Sequence, residues 1–435
     1  MKEFLQKKIF GAIPLWFFIG LLVATLIAMY TGAMSSGIVG ALCVMMVLGH
    51  CLGYIGDHIP IWKDWLGGGA LFTTIVAMLM ASAHLIPEEV GENLSNFQST
   101  VGWLDLYIIM LITGSLLAIN RKILIRSFLG YIPCILAGVL GSFLFACAVG
   151  KLVGFNVVEA ILNYALPIMG GGVGAGAVPL SNIYEQVTGK SGNEWFTAAY
   201  AVLMVANMIA VACSALLNKL GDVFPKWNGH GKLMTGQNNM ADDGEERVTA
   251  TAADYAAGII LALVCYAFAD WYASKVSLIN HSGIGITIHK YFFCIIFIAI
   301  LNALGIVPAS IRAGALGIQK FFIKYMSFPL LFMIGANSSL DSFISVLNLK
   351  SVLMMAAVII GACCGVWLIA PLFKFNRIEA MITAALCMAN SGGGGDIQCL
   401  GAAKRMELMA YAQISSRIGG SIILAIGSVL FSILL

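Results

Sequence analysis

Long apolar segments recur along the whole chain, and they restrict its fold more than any other feature. Each is long enough to cross the roughly 30 Å hydrocarbon core of a membrane as a helix. Of the 435 residues 60% are hydrophobic and only 10% are charged, whereas a soluble domain has about 25% charged residues. The sequence therefore predicts an all-α polytopic membrane protein. Its eleven predicted transmembrane helices are residues 13–30, 37–55, 67–86, 101–118, 128–150, 195–217, 252–272, 285–307, 320–340, 350–373 and 407–434.

Two further apolar segments, residues 158–182 and 378–400, contain clusters of glycines. Because each glycine in a helix interior costs about 1 kcal/mol relative to alanine, such clusters indicate broken helices. In a membrane, freed backbone groups face a cavity or a ligand. Both segments are therefore predicted to be re-entrant hairpins. Close helix packing is the alternative, and we prefer it for scattered glycines such as those at 67–69.

The two halves of the chain are related by a shift of 220 residues. This shift superimposes Gly141 on Gly361 and Gly172 on Gly392 without a gap. Five predicted spans separate the two hairpins, an odd number, so the repeats are expected to be inverted. Inverted repeats with broken helices in matching positions are typical of secondary transporters.

Lysine and arginine residues are distributed unequally between the predicted loops. With a cytoplasmic N-terminus, eighteen of them lie in inside loops and five in outside loops. Because positive loops remain inside, we expect the N-terminus in the cytoplasm and the C-terminus outside. The predicted halves are residues 1–218 and 251–435. The polar segment 219–250 is predicted to be a cytoplasmic linker, which we interpret as a mobile loop without a role in transport.

Arg417 is the only charged residue of the apolar segment from Ile414 to Leu435, within the last predicted span. A lone guanidinium in a span usually faces a partner or an anionic ligand. A structural ion pair with Asp396 is the alternative interpretation. Asn390 and Ser416 would supply neutral oxygens that suit Na⁺.

Other classes of function are not supported by the sequence. The eleven cysteines form no CxxC pair, and the six histidines are dispersed without metal-ligand spacing. There is no nucleophile–base arrangement and no P-loop, and the net charge of +3 rests on few charges. We therefore expect no enzymatic activity, no cofactor other than a coupling ion, and no nucleic-acid partner.

Three motifs carry a resemblance to a known family: LPIMGGGVGAGAVPLS at 166–181, LCMANSGGGGD at 386–396 and YAQISSRIGG at 411–420. They resemble the 2-hydroxycarboxylate transporter family, the bacterial citrate and malate carriers. The resemblance covers almost the whole chain. It implies a homodimer in the lipid of the bacterial inner membrane. It also implies eleven spans with two re-entrant hairpins, and an elevator movement of a transport domain against a dimerisation domain.

The resemblance also implies site residues. Arg417 corresponds to the arginine that binds a substrate carboxylate. The implied substrate-binding residues are Gly172, Val173, Gly174, Ser391, Gly393, Gly394 and Arg417. The implied Na⁺ ligands are Ile168, Gly171, Met388, Asn390 and Ser416.

Three positions depart from the citrate-carrier pattern, which resembles MGGGNGAG and MANRGGSGD. Val173 replaces an asparagine, Ser391 an arginine and Gly394 a serine. Since a tricarboxylate would leave charge unpaired, we expect Na⁺-coupled symport of a 2-hydroxydicarboxylate, with malate favoured over citrate. Proton symport, malate/lactate exchange and citrate-type exchange remain alternatives within transport. A membrane receptor or structural subunit is a different class.

Overall fold

The computed structural model describes residues 8–9, 13–60, 68–117, 121–234, 248–280, 290–338 and 340–435. Apart from the antiparallel two-residue strands Lys8–Ile9 and Ile13–Pro14, the regular structure of these residues is helical. This confirms the all-α class. The main helices are Leu15–Tyr30, Ile38–His58, Gly68–Ser82, Glu88–Ser99, Trp103–Leu117, Arg121–Val153, Gly192–Val223, Ala252–Asn280, Lys290–Leu304, Ala309–Phe321, Ser327–Ala336, Leu340–Ser345, Leu349–Ile369 and Gly420–Leu434.

Among the described residues, six helices are long and apolar enough to span a membrane. They are Ile38–His58, Gly130–Val153, Gly192–Val223, Ala252–Lys275, Leu349–Phe373 and Tyr411–Leu434. The helices Glu88–Gln98 and Trp103–Leu117 are bent by 44° relative to each other, and counting them as one span gives up to seven spans. Predicted spans 13–30 and 67–86 contain shorter apolar helices, and span 285–307 lies partly outside the described residues. A polytopic membrane protein is thus confirmed, while the count of eleven stays a prediction.

The chain forms two compact units, of which the first comprises residues 1–107 and 321–342. Its helices Ile38–His58, Gly68–Ser82 and Ser327–Ala336 pack through small residues. A Cβ on Gly49 would lie 2.8 Å from the Phe328 oxygen, and one on Gly69 would collide with the Gly53 oxygen. These glycines therefore serve close packing, as we expected for Gly69. Gly67 lies outside the described residues.

The second unit comprises residues 108–320 and 343–435. At its centre the helix Arg121–Val153 packs against Leu349–Ile369. The backbone oxygen of Gly141 occupies the place of a Cβ on Gly361, and the reverse also holds. The two residues that the 220-residue shift superimposes are thus in direct contact.

Two broken helices in this unit contain the glycine clusters. In the first, Val157–Glu159, Ala160–Ala165 and Leu166–Ile168 lead to the break, and Val173–Ala177 and Val178–Thr188 follow it. In the second, Arg377–Ala380 and Met381–Leu386 lead to the break, and Gly393–Ala402 follows. The stretches Ala160–Ala165 and Met381–Leu386 are both π-helical. They lie at matching places in the repeat, and π-helical turns are frequent at functional sites.

The predicted linker 219–250 is partly ordered structure. Residues 219–223 complete the helix Gly192–Val223. Residues 228–234 pack on the second broken helix: Asn376 donates hydrogen bonds to the oxygens of Lys232 (2.7 Å) and Leu233 (2.8 Å). This part is therefore not the mobile loop that composition suggested, because its backbone groups have partners. Residues 235–247 lie outside the described residues.

Candidate functional site

The breaks of the two broken helices meet in the second unit. The Val173 amide donates a hydrogen bond to the Ser391 oxygen at 3.3 Å. Gly172 and Gly392 face each other, with φ of +115° and +104°, and a Cβ on Gly172 would come within 2.6 Å of the Gly392 Cα. Glycine is required at both positions because side chains rarely adopt this backbone region. The two glycine clusters thus form one site.

An oxygen-rich cluster surrounds Ser416, next to these breaks. The Ser416 Oγ lies 3.0 and 3.1 Å from the two Asp396 carboxylate oxygens. It also lies 3.0 Å from the Cys387 oxygen and 3.1 Å from the Ala412 oxygen. A hydroxyl has one proton to donate, so acceptors outnumber donors here. Such a set of carboxylate and carbonyl oxygens fits a small cation.

Asn390 ties the second break to this cluster. Its Nδ2 donates to the Asp396 Oδ1 at 3.0 Å, and its Oδ1 accepts from the Gly392 amide at 2.8 Å. Both Asn390 and Asp396 are buried. Asp396, which we had considered only as an ion-pair partner, is therefore a central member of the site.

Arg417 follows Ser416 in the π-helical turn Ser415–Gly419 of the last helix. Its Nη1 donates to the Ser115 main-chain oxygen at 3.3 Å, its one hydrogen bond among the described residues. No ion pair joins it to Asp396 within the described part of the chain. The structure therefore gives no support to the alternative of a structural ion pair at contact distance, and the role of Arg417 stays a prediction. The half-buried guanidinium retains donors for an anion.

Asn207, in the middle of the helix Gly192–Val223, was missed by the sequence analysis. Its Oδ1 accepts hydrogen bonds from the Ser391 amide (3.1 Å) and hydroxyl (3.3 Å). Its Nδ2 donates to the Gln398 Oε1 at 3.0 Å. Asn207 therefore fixes the second break from a neighbouring helix. The signal in the sequence was an asparagine inside the apolar segment 195–217, where a polar side chain rarely lies without a partner.

The base of the second broken helix contains a buried ion pair. Arg405 Nε lies 3.3 Å from Glu379 Oε1, and Glu379 is fully buried. The amides of Gly229 and Gly231 donate to the same carboxylate at 2.8 and 3.1 Å. Glu379 thus has a structural partner set and is no part of the oxygen cluster.

The structure brings several predicted site residues together. Gly171 packs against the Ser416 oxygen, and Gly419 against the Met388 side chain. Val173, Ser391 and Gly172 lie at the meeting of the breaks, while Ile168 is buried at the end of the helix before the first one. Gly174 lies in the turn Val173–Ala177, and Gly393 and Gly394 begin the helix Gly393–Ala402. These placements agree with one site but leave each ligand role a prediction.

The chain matches known proteins over nearly its whole length. Residues 10–429 match the model of the 2-hydroxycarboxylate transporter family. The citrate/sodium symporter of Salmonella typhimurium is 38% identical over 99% of this chain and 96% of its own length. That of Klebsiella pneumoniae is 36% identical over 100% and 97%. The citrate/malate-proton symporter of Bacillus subtilis is 31% identical over 95% and 90%.

A family model that covers nearly the whole chain, and relatives aligned from end to end, agree with the motifs that form the site. The chain belongs to the 2-hydroxycarboxylate transporter family.

Proposed function

We propose that this protein is a secondary active transporter that couples movement of a 2-hydroxycarboxylate to movement of a cation, with Na⁺ as the coupling ion. One observation carries the proposal: Ser416 and Arg417 are consecutive residues. Ser416 lies in the oxygen cluster around Asp396, while Arg417 has unused donors for a carboxylate. A cation on one residue and an anion on the next would order the same turn of the last helix.

This adjacency supplies a physical basis for symport. A cation bound between Asp396, Ser416 and the Cys387 oxygen would keep the π-helical turn Ser415–Gly419 in one conformation. Arg417 would then be held towards the substrate, so the second ligand binds to a site already ordered by the first. Coupling of this kind is reciprocal, so substrate also tightens cation binding.

The coupling ion has two candidates, because relatives are named for both. The Salmonella and Klebsiella relatives are named sodium symporters, and the Bacillus relative a proton symporter. The surplus of acceptor oxygens around Ser416 favours Na⁺, since a proton on Asp396 would satisfy only one of them. Proton symport, and exchange of malate for lactate or of citrate for a product, are the alternatives.

The substrate proposed is a 2-hydroxydicarboxylate such as malate, in preference to citrate. The relatives named above all carry citrate in their names. However, Arg417 is the only cationic residue in the three segments that build the site, 166–181, 386–396 and 411–420. Ser391, where an arginine is expected for citrate, has its hydroxyl engaged by Asn207. One guanidinium and the amides that begin the helix Gly393–Ala402 suit two carboxylates better than three.

The finer architecture is proposed on the family resemblance. It comprises a homodimer, eleven spans with two re-entrant hairpins in inverted repeats, an elevator movement, a cytoplasmic N-terminus and an outside C-terminus. The contacts of Gly141 with Gly361 and of Gly172 with Gly392 support the repeats. Residues related by a two-fold axis touch one another only where they lie near that axis.

Uptake by purified protein in proteoliposomes tests the proposal. Labelled malate should accumulate with an inward Na⁺ gradient, and competition should be stronger with unlabelled malate than with citrate. Accumulation driven by a pH gradient without Na⁺ would show that H⁺ is the coupling ion. Uptake that depends on internal lactate would indicate exchange. No gradient-driven or exchange uptake of any 2-hydroxycarboxylate would contradict the transport function.

A further inference from the structure

A second polar cluster lies beside Arg417, formed by Ser115 and Gln319. The helix Trp103–Leu117 supplies Ser115, and the helix Ala309–Phe321 supplies Gln319. The Gln319 Nε2 donates a hydrogen bond to the Ser115 Oγ at 2.6 Å. The main-chain oxygen of the same Ser115 accepts the hydrogen bond of Arg417. Arg417 and Gln319 are thus bound to two different oxygens of one residue.

The Gln319 carboxamide has one atom without a partner. Its side chain is buried, and its Oε1 has no hydrogen-bond partner among the described residues. An unsatisfied buried acceptor is costly and therefore needs an explanation, such as a ligand that donates to it. The close packing of Gly114 against the Gln319 Cβ keeps this amide in place.

The chemistry of the two groups selects the ligand. The guanidinium of Arg417 donates only, so it pairs with a carboxylate, and a carboxylate is a stronger partner than the neutral Ser115 oxygen. The Gln319 Oε1 accepts only, so a carboxylate cannot satisfy it, whereas a hydroxyl can. A 2-hydroxycarboxylate carries a carboxylate and a hydroxyl on one carbon. Correspondingly, Arg417 and Gln319 are both hydrogen-bonded to Ser115.

We propose that Gln319 is a specificity-determining residue that accepts a hydrogen bond from the 2-hydroxyl group of the transported acid. The substrate carboxylate replaces the Ser115 oxygen as the partner of Arg417, and the adjacent hydroxyl satisfies the Gln319 oxygen. The inference rests on the proposed function, and it explains how one site would separate a hydroxy acid from a plain dicarboxylate. A site built to bind a hydroxyl rejects analogues that lack it, because its own group is left unpaired.

The test compares malate with succinate, which lacks the hydroxyl, as competitors of labelled malate uptake in proteoliposomes. Wild-type protein should bind malate at least about tenfold more tightly than succinate, the magnitude of one hydrogen bond to a buried group. Gln319→Met is a near-isosteric change. In this variant the inhibition constant of malate should approach that of succinate, while the inhibition constant of succinate should stay within about twofold of its wild-type value. Ser115→Ala, which frees the amide but keeps the main-chain oxygen, should shift the ratio in the same direction by less. Gln186→Leu, an exposed glutamine bonded to Asn182, is the matched control and should keep the wild-type ratio.

The outcomes separate this inference from the proposed function. If wild-type protein takes up malate but does not distinguish succinate, or if both variants keep the wild-type ratio, the role of Gln319 is refuted and transport stands. The role is also refuted if Gln319→Met weakens both acids equally, or if it changes the Na⁺ concentration for half-maximal uptake instead of the ratio. If Gln319→Met does not fold, the Ser115→Ala ratio decides. Failure of wild-type protein to take up any hydroxy acid refutes the proposed function itself.

Discussion

Gly172 and Gly392, which are 220 residues apart in the sequence, lie face to face at the meeting of the two broken helices. A Cβ on Gly172 would come within 2.6 Å of the Gly392 Cα. The contact of Gly141 with Gly361 repeats this relationship between the long helices. In both places equivalent residues of the two halves touch, so the repeat pattern and the site depend on the same close approach of backbone.

The first prediction concerns this contact. Gly172→Ala should abolish transport and lower stability, because the methyl group meets backbone and the φ of +115° is unfavourable for alanine, at about 1–3 kcal/mol for the backbone alone. Gly401→Ala is the matched control: no atom lies within 4 Å of its added Cβ. It should be neutral or up to about 1 kcal/mol more stable. Uptake and thermal unfolding of both variants measure this, and wild-type uptake by Gly172→Ala would contradict it.

The second prediction concerns substrate binding by Arg417. Arg417→Ala should weaken it by roughly tenfold to over a hundredfold, since a hydrogen-bonded charge contributes about 1.5–3 kcal/mol. Arg417→Lys should recover only part of the substrate affinity, because lysine lacks the planar guanidinium that donates two parallel hydrogen bonds to a carboxylate. Arg377→Ala is the control, as that guanidinium lies on the rings of Trp227 and Trp367. An unchanged Michaelis constant in Arg417→Ala would exclude it as the carboxylate ligand.

The third prediction concerns the coupling ion. Asp396→Asn should raise the Na⁺ concentration for half-maximal uptake at least about tenfold, because the amide brings a donor into an oxygen cluster and removes its charge. Ser416→Ala should act in the same direction. Ser421→Ala, which removes a hydroxyl bonded to the Arg417 oxygen one turn further on, should leave the Na⁺ dependence unchanged. Equal Na⁺ activation of wild type and Asp396→Asn would place the cation elsewhere.

The fourth prediction concerns substrate choice. Ser391→Arg should raise affinity for citrate relative to malate, because it adds a second cation at the breaks. Its main-chain bond to Asn207 is retained, since only the hydroxyl bond is lost. Adding Val173→Asn and Gly394→Ser should increase the gain, with contacts of about 1 kcal/mol each that need not add. Ser391→Gln, similar in length but uncharged, is the control.

Competition uptake measures this ratio, and protein yield and oligomeric state are compared with those of wild-type protein. If wild-type protein already prefers citrate over malate, Ser391 is not the position that discriminates between them.

The fifth prediction concerns the base of the second broken helix. Glu379→Gln should destabilise the protein by about 3–5 kcal/mol, because it leaves Arg405 buried without its counter-charge. The double variant Glu379→Leu/Arg405→Met should lose less stability than either single variant, because no buried charge is left without a partner. Exposed Glu194, at the start of the helix Gly192–Val223, supplies the control Glu194→Gln. Thermal unfolding in detergent measures all five variants, and additive single and double effects would argue against a coupled pair.

The sequence by itself determined the class of the protein, because apolar segments of this length are stable as helices in lipid whatever their neighbours. It also located both helix breaks, since clustered glycines are costly inside a helix wherever it lies. Arg417, Asn390 and Ser416 stood out for a similar local reason, as polar groups within apolar surroundings.

Only the tertiary structure decided which polar groups meet. Asn207 with Ser391 and Gln319 with Ser115 are pairs from distant parts of the chain, and Asp396 and Ser416 lie on separate helices. The docking of residues 228–234 on Glu379 and Arg405 is of the same kind, because a polar stretch resembles a loop until its partners are known. Periodicity and composition report what each segment can bury, whereas hydrogen bonds between segments depend on how the helices pack.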